Sequence, residues 1–187
     1  MKYGLIYADP PWWEQGGGKC KRGADRHYPL MQTADIAALP VGSVAADDCV
    51  LLLWTTASYL QAAFRVGEAW GFRYVTNRVW AKVTKDGNPA TGLGQWVRMG
   101  HEHLLLFRRG KVHVPAPPDR APSVLYAERG KHSEKPDEAR LWGQIIAPTP
   151  WLELFARRET PGWDTLGNEV GEGGDLSTAL RRLSSEG

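Results

Sequence analysis

Asp9, Pro10, Pro11 and Trp12 stand directly behind a short apolar run, and their types suit one demanding reaction. The exocyclic amine of a nucleobase is a poor nucleophile because its lone pair is delocalised into the ring. Methyl transfer to it needs acceptors that draw on its two hydrogens and rehybridise the nitrogen. An Asp carboxylate is acceptor-only, and a Pro-Pro step holds the carbonyl of Pro10 rigidly outward. Fixed acceptors meet the positive charge developing on nitrogen, the sign-reversed counterpart of an oxyanion hole, where one group contributes roughly 2.7–4 kcal/mol. Trp12 offers a flat face for a base, and such stacking is worth roughly 1–3 kcal/mol. The same four residues also suit a plain turn with Trp12 packed beneath it, so context has to decide.

Other candidate chemistry is weaker. His101, Glu102 and His103 invite a metal, since alternate residues share one face of a strand, but no third ligand is evident and no metal is expected. Cys20 and Cys49 are the only cysteines, which excludes a disulfide framework and a four-thiolate zinc site. No nucleophile-base triad is readable, and no G-x-G-x-x-G follows the first apolar run, so a conventional dinucleotide site fails where it should begin.

The elements that must position Asp9 are legible as apolar patterns. YGLIYA, residues 3–8, reads as a strand that two prolines terminate. DCVLLLWT, 48–55, is a continuous apolar run, as expected of a central strand covered on both faces. Leu60, Ala63, Phe64, Gly67 and Trp70 share one helical face, with Gly71 placed as its C-terminal cap. Further strands are expected over 72–82, 102–110, 150–157 and 163–166. Short helices are expected over 33–39 and from Pro136 to about Ile146, where acids follow the proline, with a last helix or frayed tail at the C-terminus. PAPPDRAPS reads as a connection. Residues 14–30 and 84–100 are Gly-rich, basic and aperiodic, and are expected to be mobile loops. Strands alternating with helices predict an α/β fold with a mostly parallel central sheet, helices on both faces, and ligands beyond the carboxyl ends of the strands.

The chain has 187 residues, which predicts a single domain over 1–187 without a separate target-recognition domain. Hydrophobic residues make up 42% and charged residues 24%, which supports a real core and excludes wholesale disorder. The formal charge of +2 is too small to hold nucleic acid by bulk electrostatics, so a polyanion needs a local basic face. The nine tryptophans should be mostly core, with some left as stacking platforms. No stretch approaches a membrane span and the N-terminus reads as a strand, so a cytoplasmic location without membrane contact is expected.

Read in order, YADPPW, RHYPLMQTADIAALPV, LLLWTT, WGFRYV, VWAK, GQWVRMGHEHLLLFRRGK, HSEKPDEA, LELFARR and GWDTLGNE cover nearly the whole chain. This series resembles the MT-A70 adenine methyltransferases, which include messenger-RNA adenosine methyltransferase catalytic subunits and phage and bacterial DNA adenine methyltransferases. The resemblance implies a Rossmann-like S-adenosylmethionine-dependent methyltransferase fold in permuted order, with the catalytic strand before the cofactor-binding part. It implies that Asp9 lies between the methionine amine of the cofactor and the target amine, with Pro10, Pro11 and Trp12 completing the catalytic motif. Lys135 would partner the methionine carboxylate, which suits a cation beside a helix N-terminus that already favours an anion. Arg157, Asn168 and Glu169 would hold the ribose hydroxyls and the adenosine end, and Phe155 either lines that pocket or belongs to the core.

The two loops would close over the substrate. Lys19, Lys21, Arg22, Arg26 and Arg98 would meet phosphate, and Trp96 would clamp the base opposite Trp12; Arg98 departs from the small polar residue of some relatives. The implied activity is methylation of the adenine amine in nucleic acid, DNA before RNA, leaving S-adenosylhomocysteine. RNA adenosine, the cytosine amine, or a non-catalytic nucleic-acid-binding subunit are the alternatives. A base inside a duplex must be flipped out at a cost of a few kcal/mol. So small a chain implies short or relaxed specificity unless a partner subunit supplies it, and a monomer or dimer is expected.

Overall fold

The computed structural model describes residues 1–13, 30–94, 96–130, 134–167, 170 and 175–185. The first apolar run forms strand β1 (Tyr3–Ala8), in which every residue is buried. It can be buried on both faces because it sits inside the sheet, between β2 (Ala45–Thr55) and β6 (Trp151–Leu154), parallel to both. The remaining strands are β3 (Arg73–Val83), β4 (His101–Arg109), β5 (Val124–Glu128) and β7 (Asp164–Leu166). Together they make one seven-stranded sheet in the order β5-β3-β4-β2-β1-β6-β7.

Side chains alternate across this sheet and build two cores. Ile6, Leu51 and Leu53 point to the face covered by α1 (Thr33–Ala37), α2 (Leu60–Ala69) and α4 (Leu176–Ser185), through Ile36, Val66 and Leu180. Leu5, Tyr7, Leu52 and Trp54 point to the other face, where α3 (Asp137–Ile146) contributes Ala139 and Ile146. The expected α/β arrangement with helices on both faces is therefore present. Helix α2 lies close to β4 because Gly67 has no side chain: a Cβ there would come within 2.4 Å of the Phe107 ring. Gly71 ends that helix with φ 88°, its N–H donating to the Glu68 carbonyl at 2.9 Å, as its position in the sequence predicts. Among the tryptophans, 54, 70, 80 and 163 are buried, while Trp13 and Trp96 are exposed. No helix among the described residues is long and apolar enough to cross a membrane.

Strands β3 and β4 are joined by the 84–100 connection and pair antiparallel, β4 is also antiparallel to β2, and every other pair is parallel. The structure departs from the sequence-based expectation in two places. Residues Val124–Glu128, given no strand in the sequence, pair in parallel with β3 at the sheet edge, where their alternating partial burial is too weak a signal without the partner ladder. The strand expected over 150–157 stops at Leu154, because Phe155 takes φ 60° and cannot continue an extended ladder. The connection 84–100 is tied at its root, with the Lys82 N–H donating to the Gly100 carbonyl at 2.8 Å and the Gly92 N–H to the Met99 carbonyl at 2.7 Å.

Candidate active site

Because all but one strand run the same way, β1, β2, β3 and β6 end on one edge of the sheet, and the antiparallel β4 begins there. Five charged residues reach this edge from separate stretches of chain. Asp9 follows β1, Lys82 lies near the end of β3, Glu102 is at the start of β4, Lys135 precedes α3 and Arg157 follows β6. Lys135 Nζ donates to Asp9 Oδ2 at 2.6 Å and lies 3.3 Å from Glu102 Oε2. Lys82 Nζ donates to Glu102 Oε1 at 2.5 Å, and Arg157 Nη2 stands 3.9 Å from Asp9 Oδ2. Charges thus alternate along Asp9, Lys135, Glu102 and Lys82.

Burial makes that alternation matter. Lys135 is 8% exposed, and desolvation alone would push its ammonium toward the neutral form, yet Asp9 and Glu102 raise it above its usual value. Burial likewise pushes the Glu102 carboxyl up, but Lys135 and Lys82 outweigh it and hold the group below its ordinary range. The Asp9 side chain is 20% exposed, the most open of the three groups joined by Lys135. Both of its described ion contacts fall on Oδ2, so Oδ1 is the oxygen available to a ligand.

Local sequence explains how Asp9 is held. Neither Pro10 nor Pro11 can donate to a ladder, so the chain leaves the sheet directly after β1. It is caught again by Met31, whose N–H donates to the Pro11 carbonyl at 2.8 Å and whose carbonyl accepts from Trp13 at 3.1 Å. The Pro10 carbonyl accepts the Trp12 N–H at 2.9 Å, which uses one of its two lone pairs and orients the other. Trp12 Nε1 donates to the Trp54 carbonyl at 3.1 Å, and its ring stacks on Tyr59 at 5.7 Å and 17°. One indole face is thereby covered and the ring cannot swing.

The Lys135 segment is clamped from below. Arg140 on α3 makes a bidentate pair with Glu153 on β6, at 2.8 and 2.7 Å, and reaches Asp137 at 2.8 Å. Arg158 grips Asp137 at 2.6 Å and Glu134 at 3.3 Å, so both flanks of Lys135 are held. The left-handed turn at Phe155 redirects the chain after β6, and the Ala156 N–H then pairs with the Leu166 carbonyl at 3.0 Å. A bulky residue in that conformation costs on the order of 1–3 kcal/mol and persists only where its surroundings enforce it. Phe155 itself packs against the core face.

Of the residues expected from sequence, Asp9, Lys135 and Arg157 come together, with Pro10, Pro11 and Trp12 beside them. Arg157 stands next to the Asp9 carboxylate. Trp96 is 96% exposed, and the ring that stacks on Trp12 is Tyr59. Arg98 is on the surface, its Nε donating to the Gly92 carbonyl at 3.4 Å. Lys19, Lys21, Arg22, Arg26, Asn168, Glu169 and Cys20 lie outside the described residues. Cys49 is a buried free thiol whose pKa burial pushes up to about 12. His101 and His103 meet edge to face at 5.0 Å, and among the described residues no cluster of three His, Cys, Asp or Glu surrounds them.

Sequence reasoning missed Tyr59, Lys82 and the engagement of Glu102. Tyr59 had a weak signal, an aromatic just past a central strand. The two charged residues had none, because their meeting depends on β4 running antiparallel.

The MT-A70 family model matches residues 3–169. The Type II methyltransferase M.MunI of a Mycoplasma species is 34% identical, over 90% of this chain and 78% of its own length. The N6-methyladenosine RNA methyltransferase MTA1 of Cryphonectria parasitica is 30% identical, over 90% of this chain and 52% of that protein. The human N(6)-adenine-specific methyltransferase METTL4 is 29% identical, and this chain spans 37% of it. With a family match running from β1 past β7, and with the Asp-Pro-Pro-Trp turn seated at the carboxyl edge of the sheet, the chain belongs to the MT-A70 family.

Proposed function

We propose that this chain is an S-adenosylmethionine-dependent methyltransferase acting on the exocyclic amine of adenine in DNA. The observation that carries this reading is the Asp9 carboxylate, 20% exposed at the end of central strand β1, flanked by Lys135 and Arg157 and followed by an indole backed by Tyr59. The donor set fits the amino-acid end of the cofactor, offering a carboxylate to its ammonium and cations to its carboxylate. When bound, S-adenosylmethionine supplies the methyl group on a sulfonium.

The chain's own residues then do the rest. Asp9 and the second lone pair of the Pro10 carbonyl hold the two hydrogens of the adenine amine and stabilise charge developing on its nitrogen. Trp12 holds the ring on its free face. Lys135, paired with Glu102, keeps a fixed positive charge next to the Asp9 carboxylate. Asn168, Glu169 and Phe155 are assigned to the adenosine end, with Lys19, Lys21, Arg22, Arg26, Arg98 and Trp96 assigned to the nucleic acid. Support for the reaction class comes from relatives named as adenine-specific and Type II methyltransferases, and the 78% coverage of the latter favours DNA. A relative named for RNA supports RNA adenosine as the second reading. The enzyme is taken to act in the cytoplasm, as a monomer or dimer.

The test supplies labelled cofactor with unmethylated DNA and RNA oligonucleotides and digests the products to nucleosides. Label in N6-methyldeoxyadenosine is expected. Label in RNA alone would move the substrate, and transfer to protein or small molecules only would overturn the proposal.

A further inference from the structure

We propose that Lys82 is a positioning residue for the Asp9 carboxylate, acting through Glu102 and Lys135, and that it ties the root of the 84–100 loop to that site. The inference rests on Asp9 being the reacting group of the proposed activity. Lys82 occupies an unusual junction. Its side chain is 18% exposed and its ammonium meets Glu102 at 2.5 Å, 4.8 Å from the Trp80 ring centroid. Its main chain holds both arms of the loop, donating to the Gly100 carbonyl at 2.8 Å and accepting the Ala90 N–H at 2.8 Å. One residue therefore registers the loop and ends the charge chain.

The electrostatic consequence follows from the count of charges in the chain. Asp9 and Glu102 face Lys135 and Lys82, with Arg157 on the outer side of Asp9. Glu102 is faced by Lys82 from β3 and by Lys135 from the segment before α3. Its β4 neighbours His101 and His103 point to the opposite face of the strand. Without Lys82, two carboxylates compete for one buried ammonium, and the pair takes up a proton at higher pH. Without Glu102, Lys135 is left to Asp9 alone, and the acid limb moves to lower pH.

The experiment compares kcat/KM against pH for methyl transfer to an adenine oligonucleotide in Lys82→Met, Lys82→Arg, Glu102→Gln and the double variant Lys82→Met/Glu102→Gln. The acid limb is expected to move up in Lys82→Met, by less than the roughly 1–3 pH units of a carboxylate losing a cation in direct contact, because Lys82 touches Glu102 and acts on Asp9 through it. It should move down in Glu102→Gln and return to the wild-type position in the double variant and in Lys82→Arg. A merely structural role would move both single variants the same way. Acid unfolding of the ligand-free proteins, followed by circular dichroism, gives a second readout with the same ordering of midpoints. Coincident wild-type and Lys82→Met profiles, or single variants shifted in one direction, would overturn the inference. If wild-type protein transfers no methyl to adenine, the proposed activity fails, and the ligand-free midpoints still decide about Lys82. If Lys82→Met does not fold, Glu102→Gln against the double variant decides it.

Discussion

Replacing Asp9 by Asn keeps the shape of the side chain and one acceptor oxygen while removing its charge. Two consequences separate cleanly. In the reaction, Asp9 is one of two fixed acceptors for the target amine, and removing such a group costs roughly 2.7–4 kcal/mol of transition-state stabilisation, or about 10²–10³ in kcat. In the folded protein, the lost charge lies 2.6 Å from a lysine that is 8% exposed. Breaking a buried ion pair by removing one partner typically costs about 3–5 kcal/mol because the other charge is stranded. Lys135 is not stranded here, since Glu102 remains 3.3 Å away and Asn can still accept its hydrogen bond. The expected stability loss is therefore only about 1–2 kcal/mol, nearer the worth of a charged hydrogen bond. That corresponds to roughly 2–8 °C in Tm for a chain of this size. Single-turnover transfer of a labelled methyl group, with urea melts on the same preparation, reads both numbers. A kcat within tenfold of wild type would refute the assigned chemistry. A loss of the full 3–5 kcal/mol would refute the claim that Glu102 compensates Lys135.

Other substitutions and conditions test separate links. Tyr59→Ala removes the ring stacked on Trp12 at 5.7 Å, a contact worth about 0.5–1.5 kcal/mol, so KM for the oligonucleotide should rise roughly 2- to 13-fold with less change in kcat. An unchanged KM would mean that Trp12 is not the platform for the base. Gly67→Ala places a Cβ within 2.4 Å of the Phe107 ring in a tightly packed interface, and thermal melts should show about 1–3 kcal/mol of destabilisation. Stability should also follow the ionisation of the site. Glu102 is held below its ordinary 4.5 by Lys135 and Lys82 against burial, so its contribution is complete above that value and fades as pH falls through the lowered one. Lys135 is held above 10.5 by Asp9 and Glu102 against burial, so its contribution is complete below that value and is lost only in strong alkali. Urea midpoints across pH should therefore drop at the acid end in wild type, and the drop should be weaker in Glu102→Gln.

How much of this was readable in the linear chain depends on the range of the interaction that encodes it. Continuous apolar runs marked β1 and β2, helical spacing marked α2, a proline followed by acids marked the start of α3, and the proline pair marked the place where β1 must stop, because these are local consequences of side-chain burial and backbone chemistry. The Asp-Pro-Pro-Trp turn was legible for the same reason: four adjacent residues carry the acceptors, the rigidity and the flat ring. Edge strand β5 escaped because its five residues bury too little to announce themselves, and the early end of β6 escaped because nothing about a phenylalanine foretells φ 60°.

The charge chain was beyond any local signal. Lys82 and Glu102 are 20 residues apart and Lys135 and Asp9 are 126 apart, and nothing local to any of them says that they meet. Only the folded sheet, by reversing β4 so that its first residues meet the ends of its parallel neighbours, brings these groups within ion-pair distance and away from water. The order of residues thus settled which chemistry is on offer at Asp9. The fold settled which charges hold that carboxylate, because Coulomb energy in a low-dielectric interior depends on distance in space and not along the chain.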